Sequence, residues 1–252
     1  MATSAEPLPK PTGKLAEDLG NWFLRLNGFF TIPNFIVHPD GKGGQRTDAD
    51  ILGVRFPCRS ELDRSLRPLR DHSEFQQYPV PLCLIAEVTT RGPCKLNGPW
   101  TDKEKENVQR VLSAIAVVPW NGRAGAAADL YARGLHRSES MHVRLCSLGE
   151  HKSDQLIAGA LQFTWHDVLQ WIFGRMTDHL RQKADCSQWD QMGKDLYSTA
   201  EGAKEESEFV LQWRKKLGSV QRHASDRQAG RGARSWRGSA DRNVASAIAK
   251  RD

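Results

Sequence analysis

The segment LCLIAEV, residues 82–88, places the strongest constraint on how this chain can fold. Its run of five apolar residues, with Val88 following a single acidic position, is typical of a buried β-strand. Glu87 is that acidic position, near the end of the apolar run. Because a carboxylate is costly to remove from water unless a partner lies beside it, Glu87 needs an explanation. The segment therefore predicts a buried strand that carries an acidic side chain for a purpose.

The length and composition of the chain limit the class of protein. Its 252 residues suit one sizeable domain with appendages, or at most two small domains. The five cysteines are odd in number and form no Cys-x-x-Cys pair, which argues against a disulfide framework or a zinc site and for a reducing compartment. No apolar run is long enough for a membrane-spanning helix. Residues 1–13 lack the pattern of a secretory signal and are predicted to be a disordered leader. We therefore expect a cytoplasmic protein without a membrane partner.

The positive charge is concentrated at the C-terminal end. From Arg214 onwards there are eight Arg and three Lys against three Asp, whereas the other 213 residues carry 25 basic and 27 acidic side chains. Residues 218–252 are rich in Gly, Ser, Ala and Arg, and we predict a disordered basic tail. Such a tail suits phosphate contacts and stacking on unpaired bases, or serves only to increase solubility. The residues that would bind nucleic acid are Arg231, Arg234, Trp236 and Arg237.

Helix and strand signals alternate along the rest of the chain. Apolar spacing predicts a helix over residues 14–28, and extended segments follow at 29–38 and 47–57. The strand that holds Glu87 comes next, followed by a helix from Asp102 to about Ala116 and a fourth strand within 140–149. Thr164 and Asp167 form a capping box that opens a long helix reaching Leu180. Shorter helices are predicted around 188–196 and 204–216. This order predicts an α/β fold in which a small mixed sheet is flanked by helices.

Asp50 and Glu87 are the two acidic residues that the predicted strands place next to apolar runs. Asp50 precedes Ile51 and Leu52, while Glu87 follows an apolar run on what should be a neighbouring strand. Two carboxylates on adjacent strands can share one divalent cation, which would offset the cost of their desolvation. Alternatively, Asp50 caps a turn and Glu87 pairs with Arg91.

Three pieces of the chain, within residues 14–116, resemble the PD-(D/E)XK nuclease superfamily, especially its Holliday-junction-resolvase-like branch. AEDLGNWFLRLNGFF (16–30) is similar to the first helix of that branch, in which a glutamate precedes the apolar face. TDADILGV (47–54) is similar to the strand that presents the metal-binding aspartate. AEVTTR (86–91) is similar to VEVKTR, the strand with the Glu-x-Lys signature.

The resemblance implies a restriction-endonuclease-like fold and metal-dependent hydrolysis of phosphodiesters, with DNA the first candidate among nucleic acids. By position, Glu17, Asp50 and Glu87 would form the acidic cluster, and the backbone carbonyl of Val88 would be a further ligand of Mg²⁺ or Mn²⁺. The implied division is a nuclease core over residues 14–150, a helical extension packed on it over 151–217, and the basic tail. A homodimer or a partner protein is compatible with this division.

Thr89 is the main departure from the family pattern, because it stands where the family has a lysine. A threonine cannot supply the positive charge that stabilises the developing charge on phosphate. Either another cation takes over this role, with Arg91, Lys95, Lys103 and Lys105 as candidates, or the site is degenerate. Two further departures are the long connection from Cys58 to Pro81 and the helical wheel of the first helix. The wheel puts Glu17 nearly opposite the apolar stripe and Asp18 on its flank, so Asp18 is an alternative to Glu17.

Three hypotheses follow from the sequence. The first is a Mg²⁺-dependent nuclease in which Asp50 and Glu87 hold the metal, with Glu17 and Thr89 in the same site and Arg91, Lys95 and Lys105 contacting nucleic acid. The second is a catalytically degenerate module of the same fold that binds nucleic acid or a protein partner. The third is a structural interaction protein unrelated to nucleases, which applies if the carboxylates do not converge.

Overall fold

The first helix forms where the apolar spacing predicts it. In the computed structural model, which describes residues 12–39, 41, 45–59, 71–178 and 180–218, helix α1 spans Thr12–Leu26. Leu19, Trp22 and Phe23 on its apolar face are buried in the core that α1 shares with the sheet and with other helices. Gly28 then adopts a φ of +82°, a left-handed conformation that glycine reaches without strain, and the chain turns into the first strand.

Six strands form one mixed sheet. The β-branched and apolar runs of the sequence supply the four long strands β1, β2, β3 and β5, and the short strands β4 and β6 complete the sheet. The strands are β1 (Phe30–Val37), β2 (Thr47–Arg55), β3 (Leu82–Val88), β4 (Leu135–Arg137), β5 (His142–Gly149) and β6 (Leu161–Thr164).

The strand order is β1-β2-β3-β5-β4. β1, β2 and β3 are antiparallel neighbours, whereas β3 and β5 run parallel, with Leu82 beside His142 and Val88 beside Leu148. The far edge of β5 pairs first with antiparallel β4 and then with parallel β6. The carboxyl ends of β3, β5 and β6 therefore lie at the same end of the sheet.

Helices cover both faces of this sheet. Besides α1, they are α2 (Gly98–Thr101), α3 (Asn107–Ile115), α4 (Arg123–Arg133), α5 (Trp165–Thr177), α6 (Leu180–Lys183), α7 (Gln191–Gly202) and α8 (206–218). One core lies between the sheet and α1, α5, α7 and α8. A second core lies on the opposite face, against α2, α3 and α4. Helices on both sides explain why β3 is apolar along almost its whole length.

The structure confirms the predicted α/β class and differs from the sequence prediction in local detail. The predicted helix from Asp102 to Ala116 is broken at Glu106, whose φ is +53°, and only Asn107–Ile115 is α-helical. Thr164 caps α5 through the backbone N–H of Asp167, as predicted, but the helix ends at Thr177. The strands β4 and β6 were not predicted, and β6 lies inside the extension that was expected to be helical.

Several predictions concern residues outside the described part of the chain. These are most of the leader, the tail beyond residue 218, and residues 60–70 of the long connection after Cys58. Among the described helices, none is both long and apolar enough to cross a membrane. All five cysteines are free thiols in the structure.

Candidate active site at the β2–β3 end

Asp50 lies at a local irregularity of the sheet. Asn34 and Asp50 are not among the paired residues of the ladder between β1 and β2, and Asn34 has a φ of +52°. Ala49 packs in the core of α3 and α4, whereas Ile51 packs in the core of α1, although residues two apart in a regular strand share a face. The strand therefore turns at Asp50. Its Oδ2 atom accepts a hydrogen bond of 2.7 Å from the backbone N–H of Val88.

Glu87 lies on the neighbouring strand at the position next to Asp50. The pairing of β2 with β3 places Ile51 opposite Ala86, so the next positions along the two strands are Asp50 and Glu87. Glu87 is only 3% exposed. Both of its carboxylate oxygens accept hydrogen bonds: Oε1 from the indole Nε1 of Trp100 at 2.5 Å, and Oε2 from the amide of Asn97.

The chain after β3 returns to cover Glu87 because it stays attached to β5. Thr89 donates its backbone N–H to the carbonyl of Leu148 at 2.8 Å. The hydroxyl of Ser147 donates to the carbonyl of Lys95 at 2.9 Å. These contacts hold residues 89–95 along the end of β5, so that residues 96–100 turn back over the strand and bring their donors to Glu87.

Burial and mutual repulsion raise the pKa values of the acidic groups at this end of the sheet. Burial, followed by the negative charge of Asp50, raises the pKa of Glu87 to about 8, although the donors Trp100 and Asn97 act in the opposite direction. The pKa of Asp50 is also raised, mainly by burial, against the hydrogen bond from Val88. The carboxyl groups therefore act on one another as like charges.

Glu17 on α1 belongs to the same group of charges. Its pKa is raised by burial and then by the charge of Asp50, which shows that the two carboxyl groups interact electrostatically. Asp18, the alternative from the helical wheel, forms an ion pair with Lys14 at 2.8 Å. The structure thus favours Glu17 over Asp18, because the carboxyl group of Glu17 interacts with that of Asp50 whereas Asp18 pairs with Lys14.

Asp48 is an acidic residue that the sequence argument did not single out. Its charge raises the pKa of Glu17, Asp50 and Glu87. The signal was present in the sequence, because Asp48 and Asp50 stand two residues apart within one predicted strand. We call Glu17, Asp48, Asp50 and Glu87 the acidic cluster.

The candidate replacement cations do not pair with the acidic cluster within the described residues. Arg91 donates to the backbone carbonyl of Gly218, Lys103 pairs with Glu104, and Lys105 pairs with Asp102. Lys95 is exposed. Thr89 itself is held by its backbone, since its carbonyl accepts a 3.0 Å hydrogen bond from the indole of Trp165. The prediction that one of the four cations replaces the signature lysine gains no support from these contacts.

The acidic cluster fits one kind of metal site and not another. Among the described residues, no group of three or more His, Cys, Asp or Glu side chains is arranged to hold a metal ion. This excludes a closed, all-protein cage within that part of the chain. Mg²⁺ usually takes only one or two carboxylates from the protein and completes its shell with water and substrate phosphate. Asp50 and Glu87, adjacent and without a described cation beside them, fit that second kind of site.

The basic tail begins near this end of the sheet. Arg91, which follows β3, donates to the carbonyl of Gly218, the last described residue. Arg214 on α8 pairs with Glu150, which follows β5. Arg231, Arg234, Trp236 and Arg237 lie outside the described residues, so their predicted contacts with nucleic acid stay predictions. Gly218, the last described residue, is held near the end of β3 through Arg91.

Comparison with known proteins adds no assignment. The chain matches no protein-family model, no curated protein and no solved structure. The resemblance to PD-(D/E)XK nucleases therefore stays a prediction that depends on the residues quoted above.

Proposed function

We propose that this protein is a divalent-metal-dependent nuclease that hydrolyses phosphodiester bonds in nucleic acid, with DNA the first substrate to test. One observation carries the proposal: Asp50 and Glu87 occupy neighbouring positions on adjacent strands, and no described cation offsets their charge. Keeping both groups ionised without compensation costs free energy, and the raised pKa of Glu87 expresses that cost. A divalent cation would offset that cost, and Mg²⁺ or Mn²⁺ matches the oxygen ligands that are present.

The residues of the chain would divide the work as follows. Asp50 and Glu87 would hold the ion, and the backbone carbonyl of Val88 would be a further ligand beside them. Glu17 adds negative charge from α1 without being buried as deeply as Glu87. Bound in this position, the ion would lower the pKa of a water molecule and neutralise charge on the phosphate.

Architecture also supports this proposal. The elements follow in the order helix, three antiparallel strands, further helices, and a strand parallel to the third. This order places the predicted acidic residues at one end of the sheet. The net charge of the tail is positive, with seven Arg and one Lys against three Asp over residues 219–252. A basic segment that starts beside Arg91 suits a phosphate backbone lying across this end of the sheet.

A second candidate function is a degenerate module of the same fold that binds nucleic acid or a partner protein without cleaving it. Two observations favour it. Thr89 lacks the charge of the signature lysine, and none of Arg91, Lys103 and Lys105 pairs with the acidic cluster. An enzyme that lacks a preorganised electrostatic donor loses roughly 2–4 kcal/mol of transition-state stabilisation.

A cleavage assay separates the two candidates. Wild type, Asp50→Ala and Thr89→Lys are purified in parallel and incubated with Mg²⁺ or Mn²⁺ and with single- and double-stranded DNA and RNA. The nuclease proposal expects cleavage by wild type, loss of cleavage in Asp50→Ala, and abolition by a chelator. Intact substrate with wild type and new cleavage with Thr89→Lys would favour the degenerate module. Cleavage that survives Asp50→Ala would contradict the site assignment.

A further inference from the structure

Glu87 accepts a hydrogen bond at each of its carboxylate oxygens from a neighbouring side chain. The indole Nε1 of Trp100 donates to Oε1 at 2.5 Å, and the amide Nδ2 of Asn97 donates to Oε2. The two donors are only three residues apart, and both come from the stretch that begins α2. A carboxylate held on both oxygens by separate donors has little freedom to rotate.

The two side chains donate to Glu87 rather than to groups within α2. Asn97 occupies the N-terminal capping position of that helix, where an asparagine side chain usually binds a free backbone N–H. Its side chain makes no such bond and goes to Glu87 instead. The Trp100 ring is fully buried, so its N–H needs an acceptor inside the protein, and Glu87 supplies it.

The stretch that carries the donors is itself fixed from outside. The amide of Asn107 on α3 donates to the carbonyl of Pro99 at 3.1 Å. Arg46, which precedes β2, donates to the side-chain oxygen of Asn107 at 2.8 Å and to the carbonyl of Lys105 at 2.6 Å. The positions of the donors therefore depend on the strand that carries Asp50 and on the helix that packs beneath it.

We infer that Asn97 and Trp100 are positioning residues that hold the Glu87 carboxylate ready for a divalent cation. This inference rests on the proposed function. Each carboxylate oxygen has two lone pairs, and the two donors occupy one on each oxygen, which leaves one on each for the ion. In metal sites, partners that hold a ligand in this way typically contribute 10–100-fold to metal affinity.

The test measures Mn²⁺ affinity by titration calorimetry on the full-length chain. The variants are Trp100→Phe and Asn97→Ala, each of which removes one donor. Trp22→Phe is the matched control, because the buried Trp22 indole also donates to a carboxylate other than Glu87, that of Asp190 at the start of α7, at 2.8 Å. We expect each donor variant to bind Mn²⁺ about ten-fold more weakly. We expect Trp22→Phe to bind Mn²⁺ as wild type does.

The outcomes can be told apart. Wild-type affinity in both donor variants would overturn the inference and leave the proposed function standing. Equal weakening in Trp22→Phe would overturn it as well, because loosening of the fold would then explain the loss. If wild type itself binds no Mn²⁺, the proposed function fails and the inference fails with it, and this is seen without any variant. Asn97 is exposed, so Asn97→Ala keeps the test valid even if Trp100→Phe does not fold.

Discussion

The two ends of the β2–β3 pair differ in whether their buried ionisable side chains have partners of opposite charge. At one end, Arg55 lies opposite Leu82 and pairs with Asp71 at 2.6 Å, with the two side chains only 7% and 8% exposed. Arg59 contributes a second contact to Asp71. At the other end, two acidic groups, Asp50 and Glu87, are neighbours, and none of the described cations pairs with them. Balanced charge stabilises the fold at the first end, whereas the lack of a described counter-charge at the second end is the reason for proposing a ligand there.

The difference matters because both ends incur the cost of desolvation. Arg55 offsets it with the carboxylate of Asp71 and with the carbonyl of Asn27, which accepts a 3.1 Å hydrogen bond from Nε. Glu87 has two neutral donors, which are not enough to return its pKa to the ordinary range. The repulsion at this end of the sheet lowers the stability of the fold, and perturbed pKa values of this kind are typical of functional sites.

The largest expected effect breaks the balanced end. Asp71→Asn should destabilise the protein by roughly 3–5 kcal/mol, because it leaves Arg55 buried without a negative partner. Urea unfolding measures the change. Glu104→Gln is the control, since Glu104 is 83% exposed and its pair with Lys103 spans 4.0 Å. The control should cost less than about 1 kcal/mol. Equal stability of Asp71→Asn and the control would refute the contrast.

The second prediction uses pH at the unbalanced end. A raised pKa means that folded Glu87 keeps a proton that the unfolded chain has lost, so this contribution to stability is present at low pH and is lost as pH rises towards about 8. Without metal, wild type should lose roughly 2 kcal/mol between pH 6.5 and 8.5, at about 1.4 kcal/mol for each pKa unit.

Glu87→Gln is the reference for this pH dependence, because it lacks the titrating group. His72 and His142 have lowered pKa values and give the opposite slope at lower pH, so the comparison begins at pH 6.5. The wild type should show the steeper loss of unfolding free energy. Parallel curves for the two proteins would mean that Glu87 is not repelled in the folded state.

The smallest expected effect concerns Lys14, whose charge lowers the pKa of Glu17 and which pairs with Asp18. The Lys14 side chain is 37% exposed, so solvent screens these interactions. Lys14→Gln should change the unfolding free energy by less than about 0.5 kcal/mol. A cost comparable with that of Asp71→Asn would show that the acidic cluster is balanced after all, through a surface lysine.

The fold was predictable where the sequence is strongly periodic or strongly apolar. The face of α1, the run of β3 and the cap at Thr164 depend on neighbours within a few residues, and each formed as expected. The four-residue strand β6 depends on pairing with β5, and its alternation of Leu161 and Phe163 with polar residues is too short to stand out in the sequence. Glu106 breaks the predicted helix through a left-handed conformation that its residue type does not signal.

The candidate site was predictable in its carboxylates and not in its surroundings. Asp50 and Glu87 stand out because they adjoin apolar runs. Asn97 and Trp100 reach Glu87 only because residues 89–95 stay attached to β5, which is a tertiary effect. The choice between Glu17 and Asp18 also required the packing of α1 on the sheet, since the helical wheel alone favoured Asp18. A buried carboxylate followed by an asparagine and a tryptophan in a short loop is the signal that could have indicated the two donors.

The central claim is that Asp50 and Glu87 form a site for a divalent cation. The most direct measurement is thermal unfolding of chelator-treated protein as Mn²⁺ is added, for wild type, Asp50→Asn and Glu104→Gln. Binding to the folded state should stabilise wild type and Glu104→Gln by about 2.7 kcal/mol once Mn²⁺ reaches a hundred times its Kd. Asp50→Asn should gain little or nothing over the same range. An unfolding midpoint of wild type that does not move with Mn²⁺, or an equal rise in Asp50→Asn, would contradict the claim.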